Sequence, residues 1–114
     1  MARTPQEIFE HHVSAIGDAD LDAIVADYAE DAVLVTPDGV LRGRDAIRGV
    51  FAGLLGEIPD AHWDIPTRHH VDDLLFIEWT AVAEKARAEG VDTFVFAGDS
   101  IKAQTVRLTL EHTA

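Results

Sequence analysis

The sequence predicts an α+β domain, with N-terminal helices packed on one face of a strongly curved, mostly antiparallel β-sheet. Three observations point there. Apolar residues recur at helical spacing through the first half of the chain, they alternate with polar ones through the second, and turn-forming residues break the second half at short intervals. The 114 residues suit one domain spanning 1–114.

Each element has its own signal. Thr4-Pro5-Gln6-Glu7 is a helix start: Thr4 caps, Pro5 suits the first helical position, and Glu7 completes a capping box. Ile8, Phe9, Val13, Ala15 and Ile16 then form one stripe, and Gly17 ends the helix. Asp18-Ala19-Asp20 offers a second cap, after which Leu21, Ile24, Val25 and Tyr28 line one helical face. Ala32–Thr36 is β-rich, Pro37-Asp38-Gly39 makes a turn, and Val40-Leu41-Arg42 can pair back. A third helix follows, with Asp45 as its cap and Ile47, Val50, Phe51, Leu54 and Leu55 as its stripe, closed by Gly56 and Pro59. Segments near 61–70, 74–84, 91–97 and 101–111 read as strands. Lys85–Gly90 suits a loop, a strand extension or a short helix equally, because periodicity does not separate them.

Composition narrows the function. The longest apolar runs are only a few residues, as in Leu74–Ile77, against roughly 20 for a membrane span. Met1–Pro5 lacks the apolar stretch of a secretory leader, so a cytoplasmic location is expected. With no cysteine, disulfides and thiolate metal sites are excluded. A net charge of −12 repels nucleic acid, and among the nine Lys and Arg only Arg42, Arg44 and Arg48 cluster. No phosphate loop, dinucleotide fingerprint or nucleophile elbow is present. No cofactor, nucleic-acid partner or membrane partner is expected.

Two polar residues sit on apolar faces. His12 lies four residues after Ile8 and four before Ile16, inside the helix-1 stripe, whereas His11 points elsewhere. Alternation puts Asp92 on the face of Phe94 and Phe96, where desolvation raises a carboxyl pKa. A protonated acid and an imidazole N–H are both donors, and together they could stabilise an oxyanion. The same spacing also suits a core histidine bonded to a backbone carbonyl, and an Asp92 that faces solvent or pairs with arginine. His69 shares parity with Trp63 and Ile65 in its strand, and Asp38 is most simply a turn residue. Trp63 and Trp79 suit a core or a pocket wall. No histidine spacing typical of a metal site accompanies them.

The junction Gly17-Asp18-Ala19-Asp20-Leu21-Asp22 and the segments Tyr28-Ala29-Glu30-Asp31-Ala32, Gly43-Arg44-Asp45-Ala46-Ile47 and Asp99-Ser100-Ile101-Lys102-Ala103 resemble the ketosteroid isomerase-like and SnoaL-like proteins of the nuclear transport factor 2-like superfamily. The resemblance covers nearly the whole chain. It implies a cone-shaped fold around an apolar pocket, and a homodimer. It places His12 where that family carries an oxyanion-hole tyrosine and Asp92 where it carries a protonated aspartate. Thr36 stands where the family's base aspartate precedes proline, and a threonine hydroxyl cannot shuttle a proton between carbons as a carboxylate does.

The expectation is acid–base chemistry of the isomerase, cyclase or dehydratase type on a small apolar cyclic molecule. Asp92 and His12 would polarise the substrate, Asp38, His69 or the substrate itself would serve as base, and Thr36, Tyr28, Phe51, Trp63, Trp79 and Phe94 would bind the ligand. A non-catalytic binding protein and a protein-interaction module are the alternatives that this fold also supports.

Overall fold

A computed structural model describes residues 3–113; Met1 and Ala2, part of the Met1–Pro5 segment read above, lie outside the described residues. Among those described, three helices precede or interrupt six strands: α1 (Pro5–Gly17), α2 (Leu21–Ala26), β1 (Tyr28–Thr36), β2 (Gly39–Arg42), α3 (Arg44–Glu57), β3 (His62–Val71), β4 (Leu74–Val82), β5 (Ala86–Ala97) and β6 (Ser100–His112). The helices start where the side chains dictate. Thr4 accepts from the Glu7 N–H while Glu7 accepts from the Thr4 N–H, which is the capping box read from the sequence. Asp20 caps α2 through the Ala23 N–H. No helix is long and apolar enough to cross a membrane.

The strands form one curved, open sheet in the order β2-β1-β6-β5-β4-β3. All pairings are antiparallel except β1 with β6, which is parallel. The long β5 and β6 span the sheet, and the helices cover its concave face. Between them lies the core of Ile8, Phe9, Ile24, Leu34, Ile47, Leu75, Phe94, Phe96 and Ile101, all at most 2% exposed. The α+β class and the cone-like arrangement match the sequence reading.

Three local expectations give way to tertiary contacts. Tyr28 does not extend α2: the Ile101 N–H donates to the Asp27 carbonyl at 2.7 Å, drawing the backbone into the sheet, so Tyr28 opens β1 opposite Ile101. Asp45 does not cap α3, because the Gly43 carbonyl already accepts the first helical bond from Ile47. Gly43 holds that cap position at φ 87, a conformation glycine adopts freely. Residues 86–90 are strand, because both neighbours are available: Ala88 pairs with Ala81 on one side and Leu110 on the other.

Candidate active site

The concave face holds a cavity of about 90 Å³. α1 supplies Phe9, His12, Val13 and Ile16, α3 supplies Val50, Phe51 and Leu54, and the sheet supplies the floor with Trp63, Ile77, Trp79, Asp92, Phe94 and Gln104. The wall is apolar except for a short series of buried polar groups. His12 is 1% exposed, Asp92 6% and Gln104 4%.

Strand alternation brings Asp92 inward with Phe94 and Phe96, as its spacing requires. Its carboxylate is not orphaned. Trp79 Nε1 donates to Oδ1 at 2.9 Å, and Gln104 Nε2 donates to Oδ2 at 2.7 Å. Burial pushes this acid up to about 6, against the pull of its two donors. Trp79 reaches it only because residue 90 is glycine: a Cβ there would lie 2.5 Å from the indole ring.

The polar series continues beyond Gln104. The Tyr28 hydroxyl donates to Gln104 Oε1, and Tyr28 Oη lies 3.4 Å from His12 Nε2. On the far side of the ring, His12 Nδ1 approaches Asp27 Oδ2 to 3.5 Å without a formed hydrogen bond. Asp27, with its side chain 1% exposed, is held by Arg3 Nη1 at 2.9 Å and His11 Nδ1 at 2.8 Å. Burial lowers the His12 pKa, and the Asp27 charge opposes it only in part, so the neutral imidazole is favoured. Burial alone would raise Asp27, but His12, His11 and Arg3 outweigh it and keep the carboxyl below its usual value. Burial, then the charges of Asp92 and Asp27, hold the Tyr28 phenol well above its normal range.

Of the residues singled out in the sequence, six line one cavity: Asp92, His12, Phe51, Trp63, Trp79 and Phe94. Tyr28 is fully buried behind this wall and touches it through its hydroxyl. The other three are elsewhere. Asp38 is exposed in the β1–β2 turn. Thr36 closes that turn, donating to the Gly39 carbonyl at 3.2 Å and accepting from the Asp38 N–H at 3.1 Å. His69 is exposed on the convex face, opposite Phe76. Its parity with Trp63 is broken by a bulge between Asp64 and Thr67, which turns Arg68 and His70 inward in its place.

Sequence reasoning misses Asp27 and Gln104. Gln104 carried a signal, since it begins the inward alternation continued by Val106, Leu108 and Leu110, the same pattern that exposed Asp92. Asp27 carried none: an acid after a helix is usually solvated.

A model of the SnoaL-like domain matches residues 9–104. No curated protein sequence matches the chain. Among solved structures, IdmH from Streptomyces antibioticus, named as a candidate polyketide cyclase, is similar at TM-score 0.79 and 16% identity, covering 93% of this chain and 92% of that one. AclR from Streptomyces galilaeus, named as a candidate hydroxylase, has a TM-score of 0.80 at 14% identity, with 92% and 88% covered. A protein of ketosteroid isomerase-like fold from Catenulispora acidiphila, solved with trimethylamine, has 0.73 at 21%, with 92% and 86% covered. At these identities the structures speak for the fold. The family model spans most of the chain, and the chain belongs to the SnoaL-like domain family.

Proposed function

We propose that this protein is an enzyme performing acid–base chemistry, of the isomerase, cyclase or dehydratase type, on a small apolar cyclic molecule bearing a carbonyl or hydroxyl group. The observation that carries this reading is a buried carboxyl and a buried imidazole, Asp92 and His12, sharing one otherwise apolar cavity. Apolar walls bind the ring, and the polar groups orient and activate its one oxygenated edge. An acid with a pKa near 6 is ionised at neutral pH yet still basic enough to take a proton from carbon or hydroxyl. Asp92 is therefore assigned as the general base, rather than the permanently protonated donor expected by resemblance. His12 lines the opposite wall; because its Nδ1 faces Asp27, it reaches a substrate oxygen by exchanging the 3.4 Å contact of Nε2 with Tyr28 Oη for that oxygen. The cyclase name of one structural neighbour is compatible with this class.

Size limits the substrate. A cavity of about 90 Å³ is smaller than the ~150 Å³ that holds benzene in an apolar protein interior. A single ring enters only if α3, which contributes Val50, Phe51 and Leu54, moves outward. Fused four-ring substrates fit poorly, and Thr36 is tied into a turn away from the cavity, so steroid Δ5-to-Δ4 isomerisation is expected to be negligible.

The experiment is a panel of cyclic ketones, enones and phenols, with binding read from the fluorescence of Trp63 and Trp79, the chain's two tryptophans, and turnover read separately. Turnover that rises with pH through about 6 and falls about 10²- to 10⁴-fold in Asp92→Asn supports the reading. Saturable binding with no turnover across the panel would make this a binding protein instead. Steroid isomerisation at enzymatic rates would overturn the substrate argument.

A further inference from the structure

Gln104 contacts Asp92 directly and His12 only through Tyr28, so the series Asp92–Gln104–Tyr28–His12 is a line of hydrogen bonds with a polarity. Each link has one donor and one acceptor. An ionised Asp92 can only accept, so Gln104 must present its NH₂ to it. The amide oxygen then faces Tyr28 and takes the phenolic proton. Tyr28 has one O–H, and once that is committed its oxygen can only accept from His12, which requires a proton on Nε2.

Protonating Asp92 on Oδ2 reverses every link. The acid now donates, so the amide must turn by 180° and offer its oxygen. The NH₂ then donates to the Tyr28 oxygen, the phenolic O–H swings to His12, and Nε2 must be bare to accept it. An amide has nearly the same shape in both orientations, so the turn needs no repacking. The remaining groups around the line do not blur the relation. Trp79 donates to the other Asp92 oxygen, Oδ1, in either state. Around His12, α3 brings only the Phe51 ring and β5 the Phe94 ring. The charges near that imidazole are Asp27, with its partners Arg3 and His11, all on the Nδ1 side.

We infer that Gln104 is a positioning residue whose amide orientation, passed on by Tyr28, couples the proton on Asp92 to the tautomer of His12: with Asp92 ionised the neutral imidazole carries its proton on Nε2, and with Asp92 protonated it carries that proton on Nδ1, toward Asp27. Its value for catalysis rests on the function proposed above, in which both groups face one substrate. The proton balance closes within the line: Asp92 gains one proton, the imidazole keeps its single proton and moves it by exchange from Nε2 to Nδ1, and Gln104 and Tyr28 turn without gaining or losing any.

The test uses the ligand-free protein, so it can fail or succeed independently of any activity. The ¹⁵N shift of His12 Nε2 and the ¹³C shift of the Asp92 carboxyl are followed across pH 4–8. The expected result is that Nε2 changes from protonated to bare over the same pH interval in which Asp92 takes up its proton, near pH 6. In this interval a histidine coupled to nothing would gain protons as pH falls, so the inferred change runs in the opposite sense. Tyr28→Phe keeps the ring and the Asp92–Gln104 bond but removes the link, and it should restore ordinary histidine titration; Gln104→Leu should do the same. An Nε2 signal in the parent protein that gains protons as pH falls through the Asp92 transition, or ignores that transition, would overturn the inference.

Discussion

Asp92 and Gly90 are two residues apart on β5, and each explains the other. With Asp92 raised to about 6 in the folded state against an ordinary value of 3.8, folding favours its protonated form. The stability it contributes is present in full below the unfolded value and is lost as pH rises through about 4 to 6. The linked free energy is of the order of 2–3 kcal/mol. His12, with its lowered pKa, acts in the opposite sense below its ordinary value of 6.5, so the two must be separated by difference. Asp92→Asn minus parent, measured by urea unfolding from pH 4 to 7, should therefore become more favourable to the variant as pH rises; a flat difference would return Asp92 to an ordinary, solvated acid. Gly90→Ala should cost roughly 1–3 kcal/mol, because the added methyl overlaps the Trp79 indole. It should also change tryptophan emission, since the Nε1 bond to Asp92 is broken as the ring moves.

At the scale of elements, β3 shows how one irregularity decides which side chains matter. Trp63 and Ile65 face the cavity, and simple alternation from them reaches His69. The bulge around Pro66 inserts one residue, and beyond it the inward positions are Arg68, whose guanidinium lies over the Phe9 ring at 4.9 Å, and His70. His69→Ala should leave stability within about 0.5 kcal/mol of the parent and leave ligand-induced fluorescence unchanged. Ile65→Ala should cost about 2 kcal/mol and weaken binding, because it removes part of the wall. Equal effects of the two substitutions would mean that the strand runs without the bulge. The α1 cap belongs to the same scale: Thr4→Ala should cost about 1 kcal/mol, measurable as a lower thermal midpoint.

Over the whole molecule, the convex face carries a row that no helix covers. Val71, Leu74, Val95, Ala103 and Val33 are successive cross-strand neighbours from β3 to β1, with Val71 63% and Leu74 43% exposed. Phe76, Val35 and Val40 lie in the adjoining row on the same face. A contiguous apolar strip of this kind is the sort of surface that proteins bury against a partner. A second copy of the chain is the expected occupant, so sedimentation at micromolar concentration should show a dimer, and Leu74→Glu should shift it to monomer. A parent protein that is monomeric under those conditions would refute the homodimer. A dimer unaffected by Leu74→Glu would move the interface elsewhere.

Local chemistry was sufficient for much of this. The capping box at Thr4, the cap at Asp20, the turn at Pro37–Gly39 and the α+β class all follow from side chains acting on their own backbone, which is information a single segment contains. The inward faces of α1 and β5, and hence the burial of His12 and Asp92, follow from periods of 3.6 and 2 that no distant contact needs to supply. Other features depend on which strands become neighbours. The parallel pairing of β1 with β6 drew Tyr28 out of the second helix and set its hydroxyl against Gln104, 76 positions away. Pairing with β4 and β6 made residues 86–90 a strand, and the β3 bulge exchanged His69 for His70. Tertiary structure alone joined Asp27 to His12 and Gln104 to Asp92, because a contact between side chains on different elements leaves no period in either one.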